Sequence, residues 1–174
     1  MLMSMCVDGA SFAGAPRLQS LCLQWDDIMV LQNGCLQQLT AVTSLSLVGC
    51  GLRSIPADVA ALSATLCVLD LSRNDNLQLD NAGVATILCC SRLKTFALYK
   101  PGISEWEDRL GLSWRRIEQH ILREGYIPVQ FSEQSLTNLL RLSSLFRAQH
   151  SRELDICLSF EDYDTKIVSN KSEH

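Results

Sequence analysis

The sequence has few of the features that mark membrane proteins, secreted proteins or nucleic-acid binders. Its longest apolar stretch, residues 84–90, is far shorter than the roughly 20 residues that a membrane-spanning helix needs. Residues 1–16 contain neither a basic segment nor a continuous apolar core, and so do not resemble a secretory signal peptide. Fifteen basic and 19 acidic residues give a net charge of −4, which argues against clustered phosphate contacts. We expect neither a nucleic-acid nor a membrane partner.

Signatures of catalysis and metal binding are also missing. There is no phosphate-binding loop, no G-x-G-x-x-G and no C-x-x-C pair, and only three histidines accompany the eight cysteines. Without a secretory signal, eight cysteines favour reduced thiols and a cytoplasmic location. Residues 74–76 resemble the start of a calcium loop but lack its glycine and terminal glutamate. We therefore expect no enzyme activity, no catalytic residues, no cofactor, no metal and no small-molecule substrate.

Leucine, in contrast, is abundant: it occurs 29 times, and much of it follows a repeated pattern. Four lines align, with starts at residues 18, 42, 66 and 93, so successive starts are 24, 24 and 27 positions apart. The lines read LQSLCLQWDDI, VTSLSLVGCGL, LCVLDLSRN and LKTFALYKPGI. Each line begins with apolar residues at alternate positions, which is typical of a strand with one buried face.

The aligned lines resemble the leucine-rich repeat family, whose unit is L-x-x-L-x-L-x-x-N/C-x-L. The resemblance implies an α/β fold, namely a right-handed solenoid. Its curved parallel β-sheet would line the concave side, and turns and helices would form the convex side. Wider apolar spacing in the second half of each unit, such as Ile55, Val59 and Leu62, agrees with a turn or short helix there. One unit cannot bury its own leucines, so neighbouring units must stack.

The resemblance divides the chain into four parts. Residues 1–17 form an N-terminal cap or linker, 18–103 the four repeats, 104–163 a degenerate region, and 164–174 a polar tail. In the third part, the sequence predicts helices over about 105–122 and 135–149 and a strand over 154–160. The strand pattern allows degenerate units starting at 124 and 153, and a separate helical C-terminal cap is the alternative.

At the ninth position of the repeat, family members carry an asparagine that binds backbone groups where the strand turns. In this chain, the position is occupied by Asp26, Cys50, Asn74 and Pro101. Only Asn74 is the usual residue, and cysteine is a known substitute. Proline has no polar side-chain group, so the array is irregular at the fourth unit.

In this family, the outward residues of the concave sheet commonly bind a protein partner. The candidate partner-binding residues are Gln24, Trp25, Asp70, Arg73, Lys94, Tyr99 and Lys100. Tryptophan, tyrosine and arginine are the residue types that most often anchor protein interfaces. The resemblance therefore implies a non-catalytic module for protein–protein interaction.

Three other readings stay open from the sequence. In the first, the chain is the substrate-recognition part of a ubiquitin ligase. In the second, it is a scaffold protein of the cytoskeleton or cilium, and in the third, it is a fragment of a larger leucine-rich-repeat protein. The array begins near residue 18, and only residues 1–17, including Phe12, are there to cover its first leucines. The sequence accordingly predicts a monomer or an end-to-end dimer.

Overall fold

A computed structural model describes residues 5–24, 29–98 and 132–158. The strands are β1 (Met5–Val7), β2 (Ser20–Gln24), β3 (Met29–Leu31), β4 (Ser44–Val48), β5 (Val68–Asp70), β6 (Thr95–Ala97) and β7 (Asp155–Cys157). The α-helices are α1 (Asn81–Cys89) and α2 (Glu133–His150), and the 3-10 helices are η1 (Gly9–Phe12) and η2 (Ala57–Leu62). The helix expected over 105–122 and the polar tail lie outside the described residues.

The described strands form two parallel sheets. The larger sheet has the order β2-β4-β5-β6-β7, and the smaller one pairs β1 with β3. Ser20 pairs with Ser44, and Ser44 pairs with Val68, so both steps have the same length as the first two steps between the sequence lines. The next step, from Val68 to Thr95, is three positions longer and equals the spacing of the third and fourth lines. The fold is therefore of the α/β class with parallel strands, as the sequence predicts.

The apolar alternation places the same kind of side chain side by side across the larger sheet. One row runs through Leu21, Leu45, Leu69, Phe96 and Ile156. Except for the first member, each of these side chains is at most 1% exposed. We call this side of the larger sheet the inner face. A fully buried leucine side chain contributes about 1.5–3 kcal/mol to the stability of the fold. Because each row packs such side chains across neighbouring strands, the rows supply the main stabilisation of the sheet.

The other layer of the core consists of turns and helices. Val59 and Leu62 of η2, and Val84 and Ile87 of α1, join the same apolar cluster as the sheet rows. The carboxylate of Asp80 caps α1 by accepting from the backbone N–H of Gly83 at 2.7 Å. These elements lie where the sequence predicts a turn or short helix after each strand.

Polar side chains fix α2 to the segment before α1. The Nδ2 group of Asn138 donates to the carbonyl of Leu79 at 2.7 Å, and the Leu79 N–H donates to Ser135 Oγ at 3.0 Å. At the other end of α2, Arg152 donates to the carbonyl of Ser91 at 2.7 Å. The contacts at both ends hold α2 alongside α1. None of the helices in the described ranges is long and apolar enough to span a membrane.

The larger sheet continues from β6 to a strand near the C-terminal end of the described residues. β6 pairs with β5 on one side and directly with β7 on the other, in the register Phe96 to Ile156. The strand of a unit starting at residue 124 would lie outside the described residues. Within the stretch 154–160, where the sequence predicts a strand, the structure has β7, and its residues lie far from their β6 partners along the chain.

Leu71 tests whether the inner face is assigned correctly. Its side chain is 1% exposed, so Leu71→Ala should lower the free energy of unfolding by about 2–5 kcal/mol through lost burial and a cavity. Ser46 lies on the opposite face of β4, and Ser46→Ala should change that free energy by at most about 0.5 kcal/mol. Urea denaturation of both variants measures the difference. Equal losses would mean that the assignment of faces is wrong.

Candidate functional site

The side of the larger sheet opposite the leucine rows is the candidate binding surface, and we call it the outer face. Its central row runs through Cys22, Ser46, Asp70, Ala97 and Cys157. The row before it runs through Ser20, Ser44, Val68, Thr95 and Asp155. Most of these side chains are small, so a binding partner can approach the backbone of the sheet closely.

Burial divides the outer face into two parts. Ser20, Cys22 and Gln24 of β2 are exposed, and Ser44, Ser46 and Val48 of β4 are partly exposed. We call these six residues the open part of the outer face. On the later strands, Thr95, Ala97 and Cys157 are at most 2% exposed. The central row of the outer face is thus accessible only on the first strands, whereas in the row before it Val68 is partly exposed and Asp155 is exposed.

Asp70 is the candidate that the structure shows to be buried. Its side chain points to the outer face, as expected, but it is only 6% exposed, and its carboxylate accepts from the Ser72 N–H at 2.9 Å. Ser72 itself is 3% exposed, so this turn is buried together with Asp70. Alternation along β5 predicts which face these residues occupy, but it carries no information about what covers that face.

Three other candidates are exposed, but they do not meet at one place. Gln24 ends β2 and Arg73 follows β5, so both lie at the carboxyl end of the parallel sheet. Lys94 precedes β6 and lies at the amino end, about 10 Å away for a three-residue strand. Trp25, Tyr99 and Lys100 lie outside the described residues.

Arg73 has an unusual backbone conformation. Its φ is 59°, in the left-handed region that non-glycine residues rarely adopt, and only Ser151 shares this feature among the described non-glycine residues. The residue at the equivalent place one unit earlier is Gly49, with φ 64°. Both turns therefore need the same backbone conformation, which glycine adopts freely and arginine adopts at a cost. The alignment of Gly49 with Arg73 is a sequence signal that could have revealed this strain.

Asn74 satisfies backbone groups at the turn after β5. Its Nδ2 group donates to the carbonyls of Leu47 and Leu71, both at 2.8 Å, and its Oδ1 accepts from the Leu52 N–H at 3.0 Å. Cys50 has the equivalent place one unit earlier, and its thiol contacts the carbonyl of Leu23 at 3.4 Å. Because each side chain bonds a carbonyl of the preceding strand, the two residues link consecutive strands. Asp26 and Pro101 lie outside the described residues.

Removal of the Asn74 side chain should be costly. Asn74→Ala leaves several buried backbone groups without a partner, and we expect the free energy of unfolding to fall by about 2–4 kcal/mol. Asn74→Cys should lower the free energy of unfolding by less, because its thiol can contact a backbone carbonyl as the Cys50 thiol does. Asn76 is an exposed residue of the same type, and Asn76→Ala serves as the control. Thermal or urea unfolding gives the comparison, and similar losses at both positions would contradict this role.

Two of the buried cysteines, Cys35 and Cys90, are poorly suited to nucleophilic chemistry. Burial raises the pKa of Cys35 to about 12, and the Asp58 carboxylate, which accepts from the thiol at 3.3 Å, adds to the rise. Burial also raises the pKa of Cys90 to about 11, with a smaller contribution from Cys89. A thiol with so high a pKa is almost fully protonated at neutral pH, and the thiolate is the reactive form.

These pKa values predict an order of thiol modification. At pH 8, the exposed Cys6, Cys22 and Cys89 should react first with iodoacetamide. Cys35 should stay protected until the chain unfolds, because its thiolate fraction is about a thousandfold below that of a thiol with pKa 9.0. Peptide mapping by mass spectrometry follows the order, with a urea-unfolded sample as control. Early modification of Cys35 in the native protein would contradict the buried, protonated state.

The described residues supply little else for catalysis. Within the described ranges, no group of three or more histidine, cysteine or acidic residues is placed to hold a metal ion. A cavity of about 370 Å³ lies between β3 and the segment after β4, and its described lining is Val30, Leu31, Gly51, Leu52, Arg53, Ser54 and Pro56. This lining includes one cation and one hydroxyl but no residue able to act as a general base near neutral pH.

Comparisons with protein-family models, with curated proteins and with solved structures gave no match to the chain. The resemblance to leucine-rich repeats consequently depends on the aligned residues alone, and the parallel registers are an independent observation beside it.

Proposed function

We propose that the chain is a leucine-rich-repeat solenoid that binds a protein partner, without catalysis, through the concave side of its sheet. The strand registers support the repeat, because β2, β4, β5 and β6 follow one another at the same spacings as the four sequence lines. The side-chain bonds of Cys50 and Asn74 support it further, because both residues occupy the ninth position of the unit. In this reading, the outer face is the concave side.

The observation that carries the binding proposal is the exposed, strained Arg73 beside the open part of the outer face. A left-handed conformation at a non-glycine residue costs of the order of 1–2 kcal/mol, so an arginine there suggests a use for its side chain. Its guanidinium can bind a carboxylate or a backbone carbonyl of a partner. Gln24 at the same end of the sheet adds an amide that both donates and accepts.

The shape of the open part favours a protein over a small molecule. Serine and cysteine side chains leave it without a deep pocket for a compact ligand, whereas an extended protein surface can rest across β2 and β4. A complete interface buries about 800 Å² per partner, so the open part would form only one portion of the contact.

Two substitutions test the proposal. Arg73→Gly should raise the free energy of unfolding by about 0.5–1 kcal/mol, because glycine adopts φ 59° without strain. The same variant should bind the partner about tenfold more weakly, because it lacks the guanidinium. Ser46→Arg should also block binding by filling the middle of the open part. The partner is first captured from native extract with wild-type protein and identified by mass spectrometry, and its affinity is then measured by calorimetry.

Arg141→Ala provides the matched control, because Arg141 is an exposed arginine on α2, away from the outer face. It should leave the affinity unchanged. If Arg73→Gly and Ser46→Arg both fold and bind as tightly as wild type, the partner does not use the outer face.

A further inference from the structure

The pairing within the smaller sheet bears on what can lie beside β2. Met5 pairs with Met29 and Val7 pairs with Leu31, so the offset along the chain equals the one between β2 and β4. Residues 5–7 therefore lie beside residues 29–31 at the offset that also separates β2 from β4. Continuation of the larger sheet at this offset would place a further strand beside β2, and residues 5–17 would then be the second half of that layer.

No described strand occupies that place. Among the described strands, β2 pairs only with β4, and Gln19 O accepts from the N–H groups of Thr43 and Ser44 on that side. In a parallel ladder, the residues alternate in direction, so Ser20, Cys22 and Gln24 direct their N–H and C=O groups to the other edge. No described residue forms a hydrogen bond to those backbone groups. We call this edge of β2 the open edge.

The apolar side chains at this end are also incompletely covered. Phe12, Leu18 and Leu23 are partly exposed, whereas their equivalents one unit later, Leu36, Val42 and Leu47, are 0% exposed. Leu21 is 8% exposed and its neighbour Leu45 is 0% exposed. These side chains therefore leave apolar surface exposed beside β2, which a further row of apolar side chains would cover.

We propose that the open edge binds an extended segment of a separate polypeptide, of about five residues with leucine or a similar side chain at alternate positions. The segment continues the β2–β4 ladder in the parallel direction and pairs with the backbone of Ser20, Cys22 and Gln24. Its alternate apolar side chains pack beside Leu21 and Leu23 and cover Phe12 and Leu18. This mode of recognition is strand addition to a sheet edge.

Residues 5–17 determine whether a single strand or a second copy of the chain can bind at the open edge. A second copy that extended the sheet through its own β2 would bring its residues 29–41 beside those of the first copy. That space is already filled by β1 and η1. A single extended segment has no counterpart of residues 29–41. It therefore fits beside β2, where a second copy would collide with β1 and η1.

A synthetic peptide with the sequence of residues 42–48 tests the proposal, because it reproduces the strand that pairs with β2 on the other side. We expect the fluorescently labelled peptide to bind the full chain in an anisotropy titration. A peptide in which both leucines are replaced by serine should bind at least about tenfold more weakly, since it has nothing to place beside Leu21 and Leu23. Equal binding of the two peptides overturns the proposal.

Substitutions at Cys22 locate the binding. Cys22→Pro removes an N–H that the β4 ladder does not use, and should weaken peptide binding at least about tenfold. Cys22→Val keeps the N–H and should bind as wild type. Thermal unfolding checks that both variants fold. If folded Cys22→Pro binds as well as Cys22→Val, the peptide does not pair with this edge, and the proposal fails.

Hydrogen exchange of wild-type protein tests the edge without any substitution. The amides of Cys22 and Gln24 should exchange quickly in the free protein and at least about tenfold more slowly with saturating peptide, because only the bound strand pairs with them. The amides of Leu21 and Leu23 should be protected in both samples by β4. Protection of Cys22 and Gln24 in the free protein overturns the proposal, and protection that rises with protein concentration overturns it too, by assigning the edge to a second copy.

Discussion

The fold depends on one constraint: no strand of the larger sheet can bury its apolar side chains without the strands beside it. Leu45 and Leu69 each have a neighbour on both sides and are 0% exposed, whereas Leu21 at the end of the sheet is 8% exposed. Each neighbouring strand therefore adds to the burial of the row. At the β2 end of the larger sheet, exposed apolar surface and the backbone groups of an edge strand occur together.

Stacking apolar rows creates a second requirement, because each strand must turn away from the sheet without leaving buried carbonyls unpaired. Asn74 meets it with three donor and acceptor contacts to backbone groups of two units. Cys50 meets it less fully, since a thiol is a weak donor and accepts little. The leucine rows and these two polar side chains explain why β2, β4 and β5 follow one another at the same number of positions along the sequence.

The sequence allowed much of this architecture to be predicted, because the responsible signals are local. Alternating leucines define the strands and their faces, and the spacing of Val84 and Ile87 predicts α1. Glu133–His150 coincides with the helix expected from the leucine-rich stretch near the C-terminus. The offset between β1 and β3 has no comparable signal, since Met5–Val7 is too short to show a period.

The candidate site was less predictable, because exposure is a property of the whole fold. Asp70 and Ser46 occupy the same row and look alike in an alternation pattern, yet only Ser46 is accessible. The direct pairing of β6 with β7 was equally difficult to predict from the sequence, because it joins segments that are distant along the chain. A pattern of period two tells which face a residue is on, whereas long-range packing determines whether that face meets solvent.

The two surfaces that remain accessible at the start of the stack differ in the physics of recognition. The open part of the outer face presents side chains, so its selectivity depends on identities such as Gln24 and on the charge of Arg73 nearby. The open edge presents main-chain groups, which bind almost any extended backbone, and its selectivity comes from the leucine positions that it leaves uncovered. Although β2 contributes to both surfaces, its side chains point to the face and its free main-chain groups point to the edge. A partner bound on the face would therefore leave the edge free for a strand. Substitutions at Ser46 and at Cys22 should consequently affect different ligands, since one alters the middle of the face and the other the hydrogen bonds of the edge.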